Sequence, residues 1–174
     1  EKFLIYINIS FYFNNLISNI EINLMRSNIF ILVISILVIA IVHILELIGY
    51  IPCDICLKQR WVWYLVVLLS FLSIFFNERI LKINLILFAF LFIGNSIYSG
   101  WHAGIEWNLW LGPETCSSQS NLSYSNFLEE VKSVKFIPCN EAALRIFGIS
   151  LAGYNSIISF FMFIYSVLNF RKET

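Results

Sequence analysis

Charged residues are scarce in this chain of 174 residues: they make up 13% of it, and the formal net charge is zero. Proteins that bind nucleic acid through its phosphates carry an excess of Lys and Arg, so the charge balance gives no indication of such a partner. Hydrophobic residues make up 59%, and the mean hydropathy is +0.80. This composition excludes a single water-soluble globular domain and predicts an integral membrane protein without a second sizeable soluble domain.

Cysteine is also scarce, with only four residues. Cys53 and Cys56 form a C-x-x-C pair, which cycles easily between dithiol and disulfide because the two thiols are already close. Cys116 and Cys139 lack the short spacing of a zinc ribbon, so a zinc site made of all four cysteines is only an alternative. The second pair is either a static structural disulfide or a partner for thiol–disulfide exchange with the first pair.

Four apolar segments are long enough to cross a bilayer, whose hydrocarbon core of about 30 Å needs roughly 20 helical residues. They cover about residues 29–48, 57–76, 80–99 and 147–170. The sequence therefore predicts an all-α membrane protein, an antiparallel bundle of four transmembrane helices. Apolar residues also recur at helical spacing between residues 121 and 134, which predicts a short amphipathic surface helix in the second outer loop.

Residues 1–24 begin with Glu and contain an apolar run, residues 3–13, that is too short to span the membrane. Met25 and Arg26 directly precede the first long apolar segment. We therefore expect residues 1–24 to be an N-terminal extension that is not native, and residues 25–174 to form the membrane domain. An interfacial helix or a signal peptide is the alternative, although no small-residue cleavage pattern follows the run.

The number of spans determines which loops share a side of the membrane. With four spans, residues 49–60 and residues 100–146 lie on the same face, so all four cysteines do too. Lys and Arg are denser in the short segments on the other face, which favours a cytoplasmic location for that face. Disulfides persist outside the cytosol, so the cysteine face is predicted to lie outside.

The C-x-x-C pair is predicted to begin a helix. Pro52 favours a helix start just after it, so Cys56 falls in the first turn, where backbone N–H groups and the helix dipole stabilise a thiolate. Arg60 follows one turn later on the same face. We expect this cation to lower the pKa of Cys56 and to hold a reduced, anionic acceptor; the alternative is an arginine that only reaches to the membrane interface.

Three other ionisable side chains are candidates. His43 and Glu46 lie near the outer end of the first span, where ionisable groups are functional candidates by default, although interface-seeking side chains are the alternative. His102 follows the predicted third span, where it either hydrogen-bonds a ligand carbonyl or caps a helix end.

The order of these motifs resembles the bacterial disulfide bond formation protein B (DsbB) family over about residues 25–170. The resemblance rests on the four spans, on Pro52 and the C-x-x-C pair with Arg60 four residues later, and on the outer loop. That loop carries Cys116 and Pro138-Cys139, and Gly148 follows nine residues after the last cysteine. Gln59 departs from the family pattern, in which Glu often precedes the Arg, and the stretch between Cys116 and Cys139 is somewhat short.

The resemblance implies a thiol–quinone oxidoreductase of the bacterial inner membrane with both cysteine pairs on the periplasmic side. A periplasmic thioredoxin-fold dithiol oxidase, similar to DsbA, would attack a Cys116–Cys139 disulfide at Cys116. Electrons would then pass to the Cys53–Cys56 disulfide and on to ubiquinone or menaquinone through Cys56. Arg60 would stabilise the reduced acceptor, and His102 would lie near the quinone ring. No metal is implied.

Two rival interpretations predict different cysteine patterns. In proteins similar to vitamin-K-epoxide reductase the loop cysteines precede the C-x-x-C pair, whereas here they follow it. A structural tetraspan scaffold with static disulfides is the other alternative, but the Cys-Cys-Gly of tetraspanins does not occur.

Overall fold

The computed structural model describes the backbone of residues 2–75, 78–113, 139 and 141–172. Side chains are described from residue 22 onward within these ranges, with the exception of Glu78. The helices are α1 (Lys2–Ile48), α2 (Asp54–Ser73), α3 (Glu78–Glu106) and α4 (Leu151–Lys172). An antiparallel pair of short strands, β1 (Arg145–Ile146) and β2 (Ile149–Ser150), directly precedes α4.

Each of the four helices contains a stretch long and apolar enough to cross a membrane. Within the described ranges these stretches are Ile22–Ile48, Asp54–Ser73, Arg79–Glu106 and Leu151–Lys172. Large apolar side chains such as Leu47, Phe90 and Phe161 remain exposed on the bundle surface, as expected where lipid covers it. The predicted all-α, four-helix membrane architecture is confirmed, while the surface helix predicted within residues 121–134 lies outside the described residues.

Helix α3 extends seven residues beyond the predicted end at residue 99. Its last turn is covered by the indole of Trp110, which occupies the space that a side chain at Gly104 would need. The Trp110 Nε1–H donates to the Trp101 carbonyl at 2.9 Å and fixes this fold-back. As a result His102 and Glu106 lie one turn apart on the helix instead of in a loop.

Helix α4 begins four residues later than the predicted start at residue 147. Phe147 and Gly148 have φ values of 50° and 81° and form the turn between β1 and β2. Two consecutive residues with positive φ are typical of a tight hairpin turn and incompatible with a helix. Helix α2, in contrast, starts at Asp54, in agreement with the helix start expected from Pro52.

The bundle core lies between all four helices and is built from Leu24 and Ile31 of α1, Trp63 and Val66 of α2, the α3 face containing Phe88 and Phe92, and Met162 of α4. Helices α3 and α4 pack closely through small residues: the Ser96 hydroxyl donates to the Ser156 carbonyl at 3.0 Å, and the Ser156 hydroxyl donates back to the Ser96 carbonyl at 2.8 Å. Small residues and interhelical hydrogen bonds are typical of helix contacts in membranes.

Candidate thiol redox site

The C-x-x-C pair forms the N-terminus of α2. Cys53 is the N-cap residue, with an extended backbone, and its Sγ accepts a hydrogen bond from the Cys56 N–H at 3.3 Å. Both cysteines are free thiols, and their sulfurs are 2.9 Å apart, within hydrogen-bond distance. The two thiols can therefore form a disulfide with little rearrangement of the chain.

Cys53 is the thiol that this geometry favours as a thiolate. A hydrogen bond from the Cys56 side chain, together with weaker ones from His102 and the Cys56 N–H, lowers the pKa of Cys53 to about 5, against the opposing effect of burial. The sequence led us to expect the thiolate on Cys56, and this assignment stays a prediction. In the structure the Cys56 N–H donates to the Cys53 sulfur, so the N-cap side chain receives a hydrogen bond from the first turn of α2.

His102 of α3 lies next to Cys53 and faces α2. Its Nε2 is 3.5 Å from the Cys53 Sγ, its Nδ1 is 3.0 Å from the Gln59 Nε2, and the ring is fully buried. His102 also makes a hydrogen bond with the backbone of Cys139. The imidazole therefore contacts both the C-x-x-C pair and the segment that carries a loop cysteine.

Cys139 belongs to the same buried cluster as the first cysteine of the C-x-x-C pair. It is 2% exposed, is disulfide-bonded, and shares this cluster with Cys53, Ile55 and Ile105. Its predicted partner, Cys116, lies outside the described residues, so the Cys116–Cys139 pairing stays a prediction. The cluster and the imidazole of His102 bring a cysteine of the second pair near the first.

A cavity of about 370 Å³ lies next to Cys56. Apolar side chains of α1 and α4, among them Val38, Val42 and Ile158, form most of its wall. Cys56 also lines it, together with the polar residues Gln59, Arg60, Glu106 and Asn155. Neither Cys53 nor His102 is among the lining residues, so the two thiols of the motif face different surroundings.

Arg60 belongs to a charged network that links α2 to α1. Its Nη1 donates to the Glu46 Oε1 at 2.6 Å, and the other Glu46 oxygen lies 2.9 Å from the His43 Nδ1. The His43 Nε2 is 2.8 Å from the Tyr64 hydroxyl. The sequence singled out His43 and Glu46 without a role. In the structure they hold the guanidinium at the cavity wall.

Glu106 is a buried acid that the sequence reasoning did not select as a site residue. It is 3% exposed and lines the cavity, and its Oε2 has no hydrogen-bond partner among the described residues. The Oε1 lies 3.9 Å from the His102 Nε2. The four-residue spacing from His102 would have revealed this neighbour had α3 been predicted to reach residue 106.

The two thiols and the imidazole could also act as ligands of a soft metal ion, because their ligand atoms lie within 4.8 Å of one another. Two sulfurs that bind zinc at 2.3 Å in tetrahedral geometry are separated by about 3.8 Å. The observed separation of 2.9 Å is shorter and suits a pair that closes into a disulfide.

The fold and this site define a multi-pass membrane protein with a reduced C-x-x-C pair at one end of a four-helix bundle. The family model described as disulfide bond formation protein DsbB matches residues 25–169, and the chain belongs to the DsbB family. It is also similar to the uncharacterized protein RP370 of Rickettsia prowazekii (strain Madrid E). The two are 24% identical over 143 residues, which cover 79% of this chain and 83% of that protein. No solved structure matches.

Proposed function

We propose that this protein is a thiol–quinone oxidoreductase that supports disulfide bond formation. It reoxidises a periplasmic thioredoxin-fold dithiol oxidase and transfers the electrons through two cysteine pairs to a membrane quinone. Family membership supports the disulfide chemistry. The observation that carries the proposal is the position of the C-x-x-C motif between two surroundings: Cys53 and Cys139 belong to one buried cluster, against which Cys56 also packs, and Cys56 in addition lines an apolar cavity.

The exchange between the pairs follows from this arrangement. A thiolate of the partner attacks the Cys116–Cys139 disulfide at Cys116 and releases the Cys139 thiolate. This thiolate attacks Cys53 in the Cys53–Cys56 disulfide and releases the Cys56 thiolate. The second partner thiol then displaces Cys116, which in turn displaces Cys53 and restores the Cys116–Cys139 bond. The partner dithiol has become a disulfide, and the C-x-x-C disulfide has become a dithiol.

The size and lining of the cavity support the quinone part of the proposal. Its volume lies at the lower end of the usual range for small-molecule sites, and its wall is mainly apolar with a few polar groups. A bound quinone, ubiquinone or menaquinone, accepts two electrons and two protons. Arg60 would bind a ring oxygen and stabilise negative charge on it, Glu106 would hold a proton at the wall, and Cys56 would face the ring. His102 lies next to the Cys53 sulfur and does not line the cavity, so we assign it to that thiol and not to the quinone ring.

We further propose that the protein lies in the bacterial inner membrane with the cysteine end of the bundle on the periplasmic side. The distribution of Lys and Arg and the stability of disulfides outside the cytosol both support this orientation. An alkylating reagent that does not cross membranes should label the reduced cysteines from the periplasm. Labelling only after the membrane is disrupted would contradict the orientation.

The function is tested by mixing the purified protein with ubiquinone and a reduced thioredoxin-fold dithiol protein and following the quinone absorbance. Each of the variants Cys53→Ala, Cys56→Ala, Cys116→Ala and Cys139→Ala should abolish turnover. Lys58→Ala is the control, because Lys58 lies next to the motif in α2 but is exposed and forms its ion pair with Asp54 at the helix surface. Full turnover with Cys116→Ala would contradict the relay.

A further inference from the structure

A chain of buried hydrogen bonds connects the middle of α2 to His102 through α4. The Trp63 Nε1–H donates to the Asn155 Oδ1 at 2.9 Å. The Asn155 Nδ2 donates to the Gln59 Oε1 at 3.0 Å, and the Gln59 Nε2 lies 3.0 Å from the His102 Nδ1. Trp63, Gln59 and His102 are each at most 5% exposed, and Asn155 is partly buried at the cavity wall.

The direction of this chain follows from the chemistry of its first member. An indole N–H can only donate, so Asn155 must turn its oxygen toward Trp63 and its NH₂ group toward Gln59. The second N–H of Asn155 is also used, since it donates to the Ser99 hydroxyl at 2.7 Å. The Gln59 oxygen is occupied in turn, which leaves the Gln59 NH₂ group facing His102.

An NH₂ group that faces the His102 Nδ1 requires an unprotonated nitrogen there. A neutral imidazole then carries its proton on Nε2, the atom that faces the Cys53 sulfur. We propose that Trp63, Asn155 and Gln59 are positioning residues that hold His102 in the Nε2–H form and so direct a hydrogen-bond donor at the Cys53 thiolate. The inference uses the proposed function only in giving Cys53 a redox role.

This assignment gives a structural role to Gln59, the residue at which the sequence departs from the family pattern. A carboxylate there would accept a proton from Nδ1 and favour the opposite tautomer or the doubly protonated ring. An amide whose oxygen already accepts a hydrogen bond turns its NH₂ group toward Nδ1 and so favours the Nε2–H tautomer. The amide of Gln59 therefore has a specific consequence for His102.

The titratable groups that face Cys53 come from three segments. They are Cys56 on α2, His102 and Glu106 on α3, and the segment at Cys139. Of these, Cys56 and His102 supply hydrogen-bond donors to the Cys53 sulfur. The tautomer of His102 therefore determines whether the second of these two side chains can donate to the Cys53 sulfur.

The most direct test is nitrogen NMR of the reduced protein labelled with ¹⁵N-histidine. The chain has two histidines, so a His43→Gln variant leaves His102 as the only source of signal. We expect a protonated Nε2 and an unprotonated Nδ1 at neutral pH. A protonated Nδ1, with or without a proton on Nε2, would overturn the proposal.

A second test follows the ultraviolet absorbance of the Cys53 thiolate as a function of pH. Gln59→Met removes the donor to Nδ1 and should raise the midpoint by about one pH unit, because His102 then samples both tautomers. Trp63→Phe removes only the indole N–H that sets the direction of the chain and should give a smaller rise.

Asn169→Leu is the control, because it also loses one side-chain hydrogen bond, to the Tyr165 carbonyl, but lies outside the chain near the C-terminal end of α4. An unchanged midpoint in Gln59→Met would contradict the proposal. Neither measurement uses a quinone or a protein partner. A failure here is therefore distinguishable from a failure of the proposed function, and the NMR measurement on His43→Gln stands even if a core variant does not fold.

Discussion

Two hydrogen-bonded networks meet on α2, and they consist of opposite kinds of groups. The first joins Arg60 to Glu46 and His43, carries charge and is partly exposed. The second runs from Trp63 through the partly buried Asn155 to His102, consists of neutral amide, indole and imidazole groups, and is otherwise buried. A charged pair with access to solvent can rearrange when a ligand arrives. A buried chain of amides has a fixed direction, and each broken bond leaves an unsatisfied polar group.

The largest expected effect concerns the thiolate that the neutral network supports. Between the folded pKa of Cys53, about 5, and its ordinary value of 9.0, the unfolded chain binds more protons than the folded one. The stability of the reduced protein should therefore rise with pH across this window and be lost as pH falls toward 5, by on the order of a few kcal/mol.

Unfolding titrations of the reduced protein at several pH values would measure this effect. The variant Cys53→Ser is the control, since its hydroxyl does not titrate in this range. The same slope in both proteins would assign the pH dependence to other groups.

The second prediction breaks the neutral network at its centre. Asn155→Leu leaves the Trp63 N–H and the Gln59 oxygen without partners, and should lower the free energy of unfolding by about 3 kcal/mol. Asn169→Leu, which loses one bond to the Tyr165 carbonyl of its own helix, should cost about 1 kcal/mol. Equal losses in the free energy of unfolding, measured in detergent, would contradict the view that the network contributes more than a single hydrogen bond.

The third prediction breaks the charged network. Arg60→Ala should raise the quinone KM about tenfold, which corresponds to about 1.4 kcal/mol, because the positive charge at the cavity wall is lost. The matched variant Glu46→Gln keeps the guanidinium and should have a smaller effect. Steady-state rates at varied quinone concentration measure both. An unchanged quinone dependence in Arg60→Ala would reduce Arg60 to an anchor between α1 and α2.

The smallest effect is expected at the exposed end of the charged network. Tyr64→Phe removes only the hydroxyl that contacts the His43 Nε2, and His43 is half exposed. We expect a change of about 0.5 kcal/mol or less in stability and no change in quinone KM. A large increase in KM would show that the charged network acts as a unit that extends to Tyr64.

The sequence was sufficient for features that depend on local pattern. The four spans, the helix start after Pro52 and the position of Cys56 in the first turn follow from composition and spacing. The end of α3 did not, because Gly100 and Gly104 resemble a helix end when the packing of Ser156 against Gly100 and of Trp110 over Gly104 is not known. The pairing of Arg60 with Glu46 depends on how α1 and α2 are rotated against each other, which local pattern does not determine.

The thiolate shows a different limitation. Helix-dipole reasoning predicts a thiolate in the first turn of α2, but it does not distinguish the N-cap side chain from the residue whose N–H donates to it. Only the backbone conformation of Cys53 and the contact with His102 make that distinction.

The hairpin before α4 has a consequence for the loop cysteine. The Arg145 Nη2 donates to the Glu106 carbonyl at 2.8 Å, which fastens β1 to the end of α3. Cys139 is six residues earlier, and six residues reach at most about 20 Å even when fully extended. A Cys139 thiolate therefore stays close to Cys53, at an effective concentration in the millimolar range or above. Internal exchange would then outcompete thiols of other proteins in solution at micromolar levels.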